Sequence, residues 1–378
     1  MSAVLRLVLD RLTVEQPTSV SRYAEELARA LIATAPRNCV VEGIVSASGS
    51  AGAAAIAERL PGLADLHVSP LPHRELRTAW QLGLATGIAP GMLHAPDLLA
   101  PLRKHDRRYE SAQSVVTVHN TLAWTHPKSL HSSEVAWQKA MLRRARKFAD
   151  AVIVPSHAVA AQLTEIVALG DRVRVIEHGV SPQLTLPVDA EWRAQRLELP
   201  EHYLLAQGDL DPRRGLTELV AALAEPALAD ARLLIVGGEP WGEVSVAAVL
   251  ASSGVDPDRV RALGRVSNAD LAVLYDRADA FVLPSRAVGF GLPALEAFSF
   301  GTPVVISDDA SLREVAGDSA EVVPLDGEGF SVRLAATIAA LVSDEERRAE
   351  LAVIGQDRAR AYSWASTGEQ IWQLHADL

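Results

Sequence analysis

Hydrophobic and polar positions along the chain follow two alternating periods. Short β-branched runs, AVLRLVL (3–9), CVVEGIV (39–45), GMLH (91–94), SVVTVH (114–119), AVIVPS (151–156) and RVRVIE (172–177), alternate with amphipathic segments of helix length. VSRYAEELARALIAT (20–34) and SEVAWQKAMLRRARKFAD (133–150) are examples of the latter. Apolar runs this short, regularly spaced between helices, predict βαβ units on a parallel sheet buried on both faces. The pattern restarts after residue 200 with YLLAQG (203–208), RLLIVGG (232–238), RVRALG (259–264), DAFVLP (279–284), TPVVIS (302–307) and AEVVP (320–324). Between the two series lies a stretch, 178–203, with three prolines and no periodicity until its charged middle, which places a linker near 180–200.

The expected fold class is therefore α/β: two doubly wound, Rossmann-like domains, 1–190 and 191–362, facing each other across a cleft. The tail AYSWASTGEQIWQLHADL carries Ser366 and Glu369 at capping-box spacing ahead of an apolar stripe with Ile371 and Trp372, so 363–378 is expected to form a closing helix. A length of 378 residues agrees with two domains.

Composition narrows the class. At 49% hydrophobic and 22% charged residues, with no apolar run long enough to span a bilayer and no leader pattern at the start, the chain reads as a globular, cytoplasmic protein. The single cysteine, Cys39, sits in an apolar strand and reads as core filling rather than as a metal ligand. Charge is uneven: residues 1–190 carry 20 Lys and Arg against 17 Asp and Glu, whereas residues 191–378 carry 16 against 30. An acidic second half argues against nucleic-acid binding.

The segment SRAVGFGLPALEAFSFGTP (285–303) holds the chemically suggestive pattern. GFGLPA matches the loose dinucleotide fingerprint G-x-G-x-x-A, with Asp308 at the end of the next strand. A dehydrogenase, a sugar-nucleotide enzyme and a turn without a ligand are all open on that match. Against a nicotinamide site, four residues separate the strand from Gly289, Pro293 occupies the first helical turn, and the motif lies in the fourth strand unit of its half. What survives is a helix N-terminus at residues 290–292 suited to an anion, with Glu296 one turn further on in reach of sugar hydroxyls or, alternatively, only complementing the helix dipole.

Taken together, residues 281–320 resemble the donor-site segment of retaining GT-B-fold glycosyltransferases of family 4, also called group 1. The likeness continues through GDLDPRRGLTELVAALA (208–224), LLIVGG (233–238) and VRALGRVSNADLAVLYDRAD (260–279). In the first half it includes SRYAEELARAL (21–31), MLHAPDLLAPL (92–102), VVTVHNTLAWTHP (115–127), RKFADAVIVPS (146–156) and RVIEHGV (174–180). The resemblance implies a GT-B fold, with the closing helix returning to the first domain. It also implies transfer of a sugar from a nucleotide diphosphate sugar, with retention, to a glycan or lipid-linked acceptor, without a metal or other cofactor. By the same resemblance, His119 and Glu296 are the catalytic candidates. Ser19, Ser21, Asp209, Arg213, Arg214, Ser285, Val288, Gly289, Phe290, Gly291, Leu292 and Glu296 fall on the donor site, Glu296 at the ribose, and Asn120 lies on the acceptor side. His119 alone reads equally as a strand-end histidine satisfied by backbone.

The sequence departs from the family pattern at the donor site. Val288 stands where the family has a glutamate, seven residues before Glu296. Asp209 replaces an arginine and Arg214 a lysine in the diphosphate loop, while Thr18, Ser19, Val20 and Ser21 replace a glycine-rich loop. Asn120 replaces an aspartate after His119. A carboxylate ~4 Å from a phosphate oxygen costs about 4 kcal/mol at an effective dielectric of ~20, which solvent reduces and Arg213 offsets if it turns toward the ligand. Two functions follow: a glycosyltransferase with an altered donor mode, or a catalytically impaired glycosyltransferase-like partner of an active enzyme. Lys139, Arg143, Arg144, Arg146 and Lys147, with nearby RKHDRR (103–108), form a basic face that either rests on anionic lipid at the inner membrane face or is simply solvated.

Overall fold

The computed structural model describes residues 3–14, 18–47, 50–89, 91–106, 112–242 and 244–378. The chain forms two compact units, Met1–Gly179 with Ser363–Leu378, and Val180–Tyr362. The division falls between Gly179 and Val180, ahead of the expected boundary at 190, because Val180 and Leu184 join the second unit's core. Part of the expected linker is helical, at Ala190–Arg196.

In the first unit, strands β1 (Ala3–Val8), β2 (Cys39–Val45), β3 (Asp65–Val68), β4 (Met92–Ala95), β5 (Gln113–Thr117), β6 (Ala151–Val154) and β7 (Val173–Val175) form one sheet in the order β3-β2-β1-β4-β5-β6-β7. Every pairing is parallel. Alternation across the sheet separates two cores: Leu5, Leu7 and Leu9 face one layer and Val8 the other. Strand β3 is absent from the apolar pattern because it is an edge strand whose residues stay largely exposed.

The second unit repeats the plan with β8 (Leu204–Gly208), β9 (Leu233–Gly237), β10 (Val260–Gly264), β11 (Ala280–Leu283), β12 (Val304–Ser307) and β13 (Glu321–Val323), ordered β10-β9-β8-β11-β12-β13 and again parallel. Phe281 and Leu283 pack on one face of the sheet, Ala280 and Val282 on the other. In both units the strand order reverses direction once, between β1 and β4 and between β8 and β11. Crossover helices diverge to opposite faces at such a point, leaving a crevice beyond the carboxyl ends of the two strands.

The closing helix runs Trp364–Asp377, within the first unit. Its cap is Ser363, whose hydroxyl accepts from the Ser366 N–H, so the expected Ser366–Glu369 box is displaced by one turn. Ile371 and Trp372 are buried against the helix Ser19–Ala33, and Trp372 Nε1 donates to the Leu31 carbonyl at 3.0 Å. Gly368 allows close approach, since a Cβ there would sit 2.6 Å from Thr34 Oγ1.

Candidate functional site

The candidate residues fall into two sets, one at each switch point. In the second unit, the loop after β8 and the loop after β11 lie side by side because their strands are paired. The Arg286 N–H donates to the Arg213 carbonyl at 2.6 Å, and Ser285 Oγ lies 3.5 Å from the Arg214 carbonyl. Gly215, at φ +69°, is required by this contact, since a Cβ would come within 2.2 Å of the Pro284 carbonyl oxygen. Ser285 is fully buried and its carbonyl accepts from Ser307, which ties the loop to β12.

The chain then turns through Gly289 and Phe290 into the helix Leu292–Ser299. Gly291, in the left-handed region at φ +99°, precedes it, and Pro293 occupies the first turn, where a missing N–H costs nothing. The Phe290 side chain turns inward: it is 4% exposed and packs edge-on against Tyr362. Val288 packs against the same core. Its N–H donates to the Asp309 carboxylate, which also caps the helix Ala310–Ala316 through the N–H groups of Ser311 and Leu312. Burial holds the Asp309 carboxyl above its usual range, against these backbone donors.

Glu296 was expected to present its carboxylate to a ligand. It is 0% exposed, and its Oε2 lies 3.3 Å from the Tyr275 hydroxyl, itself 3.0 Å from Gln207 Oε1 at the end of β8. The charges of the β8 loop are also committed. Arg213, expected to compensate for Asp209 if it turned toward the ligand, instead pairs with the buried Asp211, the cap of the tight turn Pro212–Arg214, which keeps the guanidinium within the loop. Arg214 Nε lies 3.7 Å from Asp209 Oδ1, with both side chains a third or more exposed. An incoming anion therefore meets one arginine, Arg213, taken up by a buried carboxylate, and a second, Arg214, held only by a long, partly exposed contact.

The first-unit set is more closely packed. Thr18 caps the helix Ser19–Ala33 in a reciprocal box with Ser21: Thr18 Oγ1 accepts from the Ser21 N–H at 3.3 Å and Ser21 Oγ from the Thr18 N–H at 3.1 Å. Ser21 is thus buried and engaged, while Ser19 stays exposed at the first turn. His119, two residues beyond β5, bonds the Pro96 carbonyl through Nε2 at 2.7 Å and meets the Tyr23 ring edge-on at 4.6 Å. Burial pulls its pKa down, opposed by that carbonyl and by Asp97. Asn120 Oδ1 accepts from the N–H of Leu122, the first residue of the short helix Leu122–Thr125.

Around His119 the structure adds residues that motif reading did not single out. Arg11 and Asp97 bridge the loops after β1 and β4, the two sides of the switch point, and Asp97 raises the Arg11 pKa. Asp10, fully buried, pairs with His73 and accepts from the Ser46 N–H at 2.6 Å. His178 stacks on Trp364 and lies 4.5 Å from the Tyr23 ring. Its signal was present in RVIEHGV, but nothing in the spacing links it to His119.

Residues 188–358 match the family Glycosyl transferases group 1, and residues 20–184 match Glycosyltransferase Family 4. Both halves of the chain thus match glycosyltransferase families. Among relatives of this chain, the D-inositol 3-phosphate glycosyltransferase of Streptosporangium roseum is 27% identical over 351 residues, 85% of this chain and 80% of that protein. The Salinispora tropica protein of the same name is 35% identical over 224 residues, 54% of this chain and less than half, 46%, of its own length. O-antigen chain mannosyltransferase B of Escherichia coli is 28% identical over 73% of this chain and 72% of its own. The GT-B fold is shared with sucrose-phosphate synthase of Thermosynechococcus elongatus (TM-score 0.73, 23% identity, 99% of this chain and 98% of that one). It is shared also with Anabaena HepE, solved with UDP and glucose (TM-score 0.74, 19% identity, all of both chains).

Proposed function

We propose that this glycosyltransferase moves a sugar from a nucleoside diphosphate donor to a glycan or lipid-linked acceptor, with retention and without a required metal. The observation that carries the reading is the convergence, at the β8/β11 switch point, of the Gly289–Leu292 turn, Glu296 and the arginine-bearing loop Asp209–Arg214. The C1–O bond to the diphosphate breaks, a C1–O bond to the acceptor hydroxyl oxygen forms, and the hydroxyl proton passes to the leaving diphosphate, on which negative charge grows. Backbone N–H groups at the helix start and the guanidinium of Arg214 are the groups suited to stabilise it. The buried Glu296 then serves the ribose once its carboxylate is uncovered. UDP bound to HepE and the sugar-transferring relatives support a nucleotide sugar as substrate. Incubation with UDP-, GDP- and ADP-glucose and GDP-mannose, read as nucleotide release and as the anomeric proton coupling of the product, tests the proposal. Absence of binding and turnover with every donor refutes it.

The pairing of both loop arginines with loop carboxylates favours a second reading, a glycosyltransferase-like partner of an active enzyme, which transfer by the isolated chain excludes. As for location, we propose a cytoplasmic chain touching the inner membrane face through the helix Ser132–Phe148. Arg143, Arg146 and Lys147 are exposed there, but Arg144 is not part of the face: it packs over Phe148 and donates to the Leu102 carbonyl. Arg107 and Arg108 lie outside the described residues. Among the described residues, no helix is long and apolar enough to cross a membrane. Sedimentation with anionic liposomes that does not exceed that with neutral ones refutes the contact.

A further inference from the structure

Glu296 is held by a residue from a third element, on the helix Asn268–Arg277. Tyr275 is fully buried. Its ring stacks on Phe300 at 5.9 Å and meets Phe281 edge-on at 5.3 Å, and its carbonyl accepts from Thr302 Oγ1 at 2.7 Å. A ring fixed in this way places its hydroxyl at one point, between Gln207 Oε1 at 3.0 Å and Glu296 Oε2 at 3.3 Å.

A phenol has one proton and here faces two acceptor oxygens. A carboxylate is a stronger acceptor than an amide oxygen, and a Tyr275 proton given to Glu296 leaves the amide oxygen of Gln207 against a phenolic oxygen with no proton between them. Turning the Gln207 amide end for end removes the conflict, since amide oxygen and nitrogen are distinguished by their partners. Its NH2 then donates to the Tyr275 oxygen, and the Tyr275 hydroxyl donates to Glu296. Each bond in such a chain polarises the next.

We infer that Tyr275 is a positioning residue for Glu296, and that the chain Gln207 to Tyr275 to Glu296 orients the carboxylate and favours its ionised form at the switch point. Gln207 is the residue before Gly208 and the arginine-bearing loop, so the chain ties the diphosphate side of the crevice to the side of the helix Leu292–Ser299. The inference rests on the proposed donor reading of that crevice.

Tyr275→Phe removes the hydroxyl and keeps the ring, so the stacking contacts survive. Glu296 is followed in the free protein by carboxyl-carbon NMR against pH, its signal assigned by loss in Glu296→Gln. Loss of a donor to a buried carboxylate disfavours its charged form, so the titration midpoint should rise by about one pH unit. In a parallel arm, UDP, GDP and ADP binding should weaken about tenfold in Tyr275→Phe, and the loss should grow as the pH is lowered through that midpoint. An unchanged midpoint overturns the inference, whatever nucleotide binding does. A raised midpoint with equal nucleotide affinity in both proteins leaves the hydroxyl acting on Glu296 but overturns its part in donor binding. If the wild type binds none of the nucleotides, the donor reading fails and with it the donor role of Tyr275, while a raised midpoint still establishes the hydrogen-bonded chain. Should Tyr275→Phe fail to fold, Gln207→Ala, at the half-buried end of the chain, should give a smaller rise in the same direction, and no rise overturns the inference.

Discussion

Acid should weaken the first unit through its C-terminal helix. His375, on that helix and 3% exposed, donates from Nδ1 to Gln113 Oε1 at 2.9 Å, which leaves Nε2 as the acceptor facing His94 Nδ1 at 3.3 Å. Gln113 Nε2 in turn donates to the His375 carbonyl at 3.0 Å. With both rings neutral the contact has one donor and one acceptor, and an added proton would place a positive charge between two rings that water does not reach. Burial pulls the His375 pKa from 6.5 down to about 4, with Asp150 opposing weakly, and burial and His375 together pull His94 well below its ordinary value. Between these values the unfolded chain binds a proton that the folded chain does not, so stability is intact above pH ~6.5 and falls as the pH drops toward ~4. At 1.36 kcal/mol per pH unit the full loss from His375 is about 3 kcal/mol, of which about 2 kcal/mol has gone by pH ~5. Urea unfolding followed by tryptophan fluorescence reads this directly, since Trp80, Trp124, Trp137, Trp364 and Trp372 lie in this unit, against Trp192 and Trp241 in the other. His375→Gln retains hydrogen bonding without the titration and should flatten the profile over that interval. A wild-type profile flat from pH ~7 to ~5, or a variant with the same slope, refutes the reasoning.

Further outcomes follow from the second unit and the tail. Asp209→Asn frees Arg214 from its carboxylate; an exposed pair of this kind is worth up to about 1 kcal/mol, so UDP or GDP should bind about fivefold tighter by calorimetry at low salt, with the gain lost at high salt. Gly291→Ala puts a Cβ 2.5 Å from Leu312 Cδ2 at a φ that disfavours side chains, and calorimetric unfolding should show a loss of about 1–3 kcal/mol. Trp372→Phe deletes the bond to the Leu31 carbonyl, costing about 1 kcal/mol, and hydrogen exchange should accelerate in Trp364–Asp377 but not in the second unit.

The apolar runs marked twelve of the strands because a strand buried on both faces has to be apolar at nearly every position, and β12, Val304–Ser307, is buried throughout. β3 escaped notice for the converse reason, since Asp65 and His67 at a sheet edge remain in water and leave no apolar signature. The tail helix was legible from Ile371 and Trp372, but its cap was not: Ser363 and Ser366 are equally good capping residues, and the turn at which the helix begins is decided by packing on the helix Ser19–Ala33. At the site, the Gly-Phe-Gly turn announced itself because Gly291 needs a backbone conformation that other residues resist. Tyr275 and Gln207 carried no such mark, since each lies on a different element from the group it serves, and nor did the bond from the Val288 N–H to Asp309.

The sequence by itself determined the α/β class, the two-domain plan and the family, because these depend on local periodicity and on motifs contiguous in the chain. Only the tertiary structure decided which charges are free to act. Arg213 looked available for a phosphate, yet the loop turns it onto Asp211; Glu296 looked presented, yet it lies buried against Tyr275. Whether a charged group faces a ligand or its own neighbour depends on distances of a few ångströms between side chains. Strand pairing and loop geometry determine those distances, and a linear pattern does not contain them.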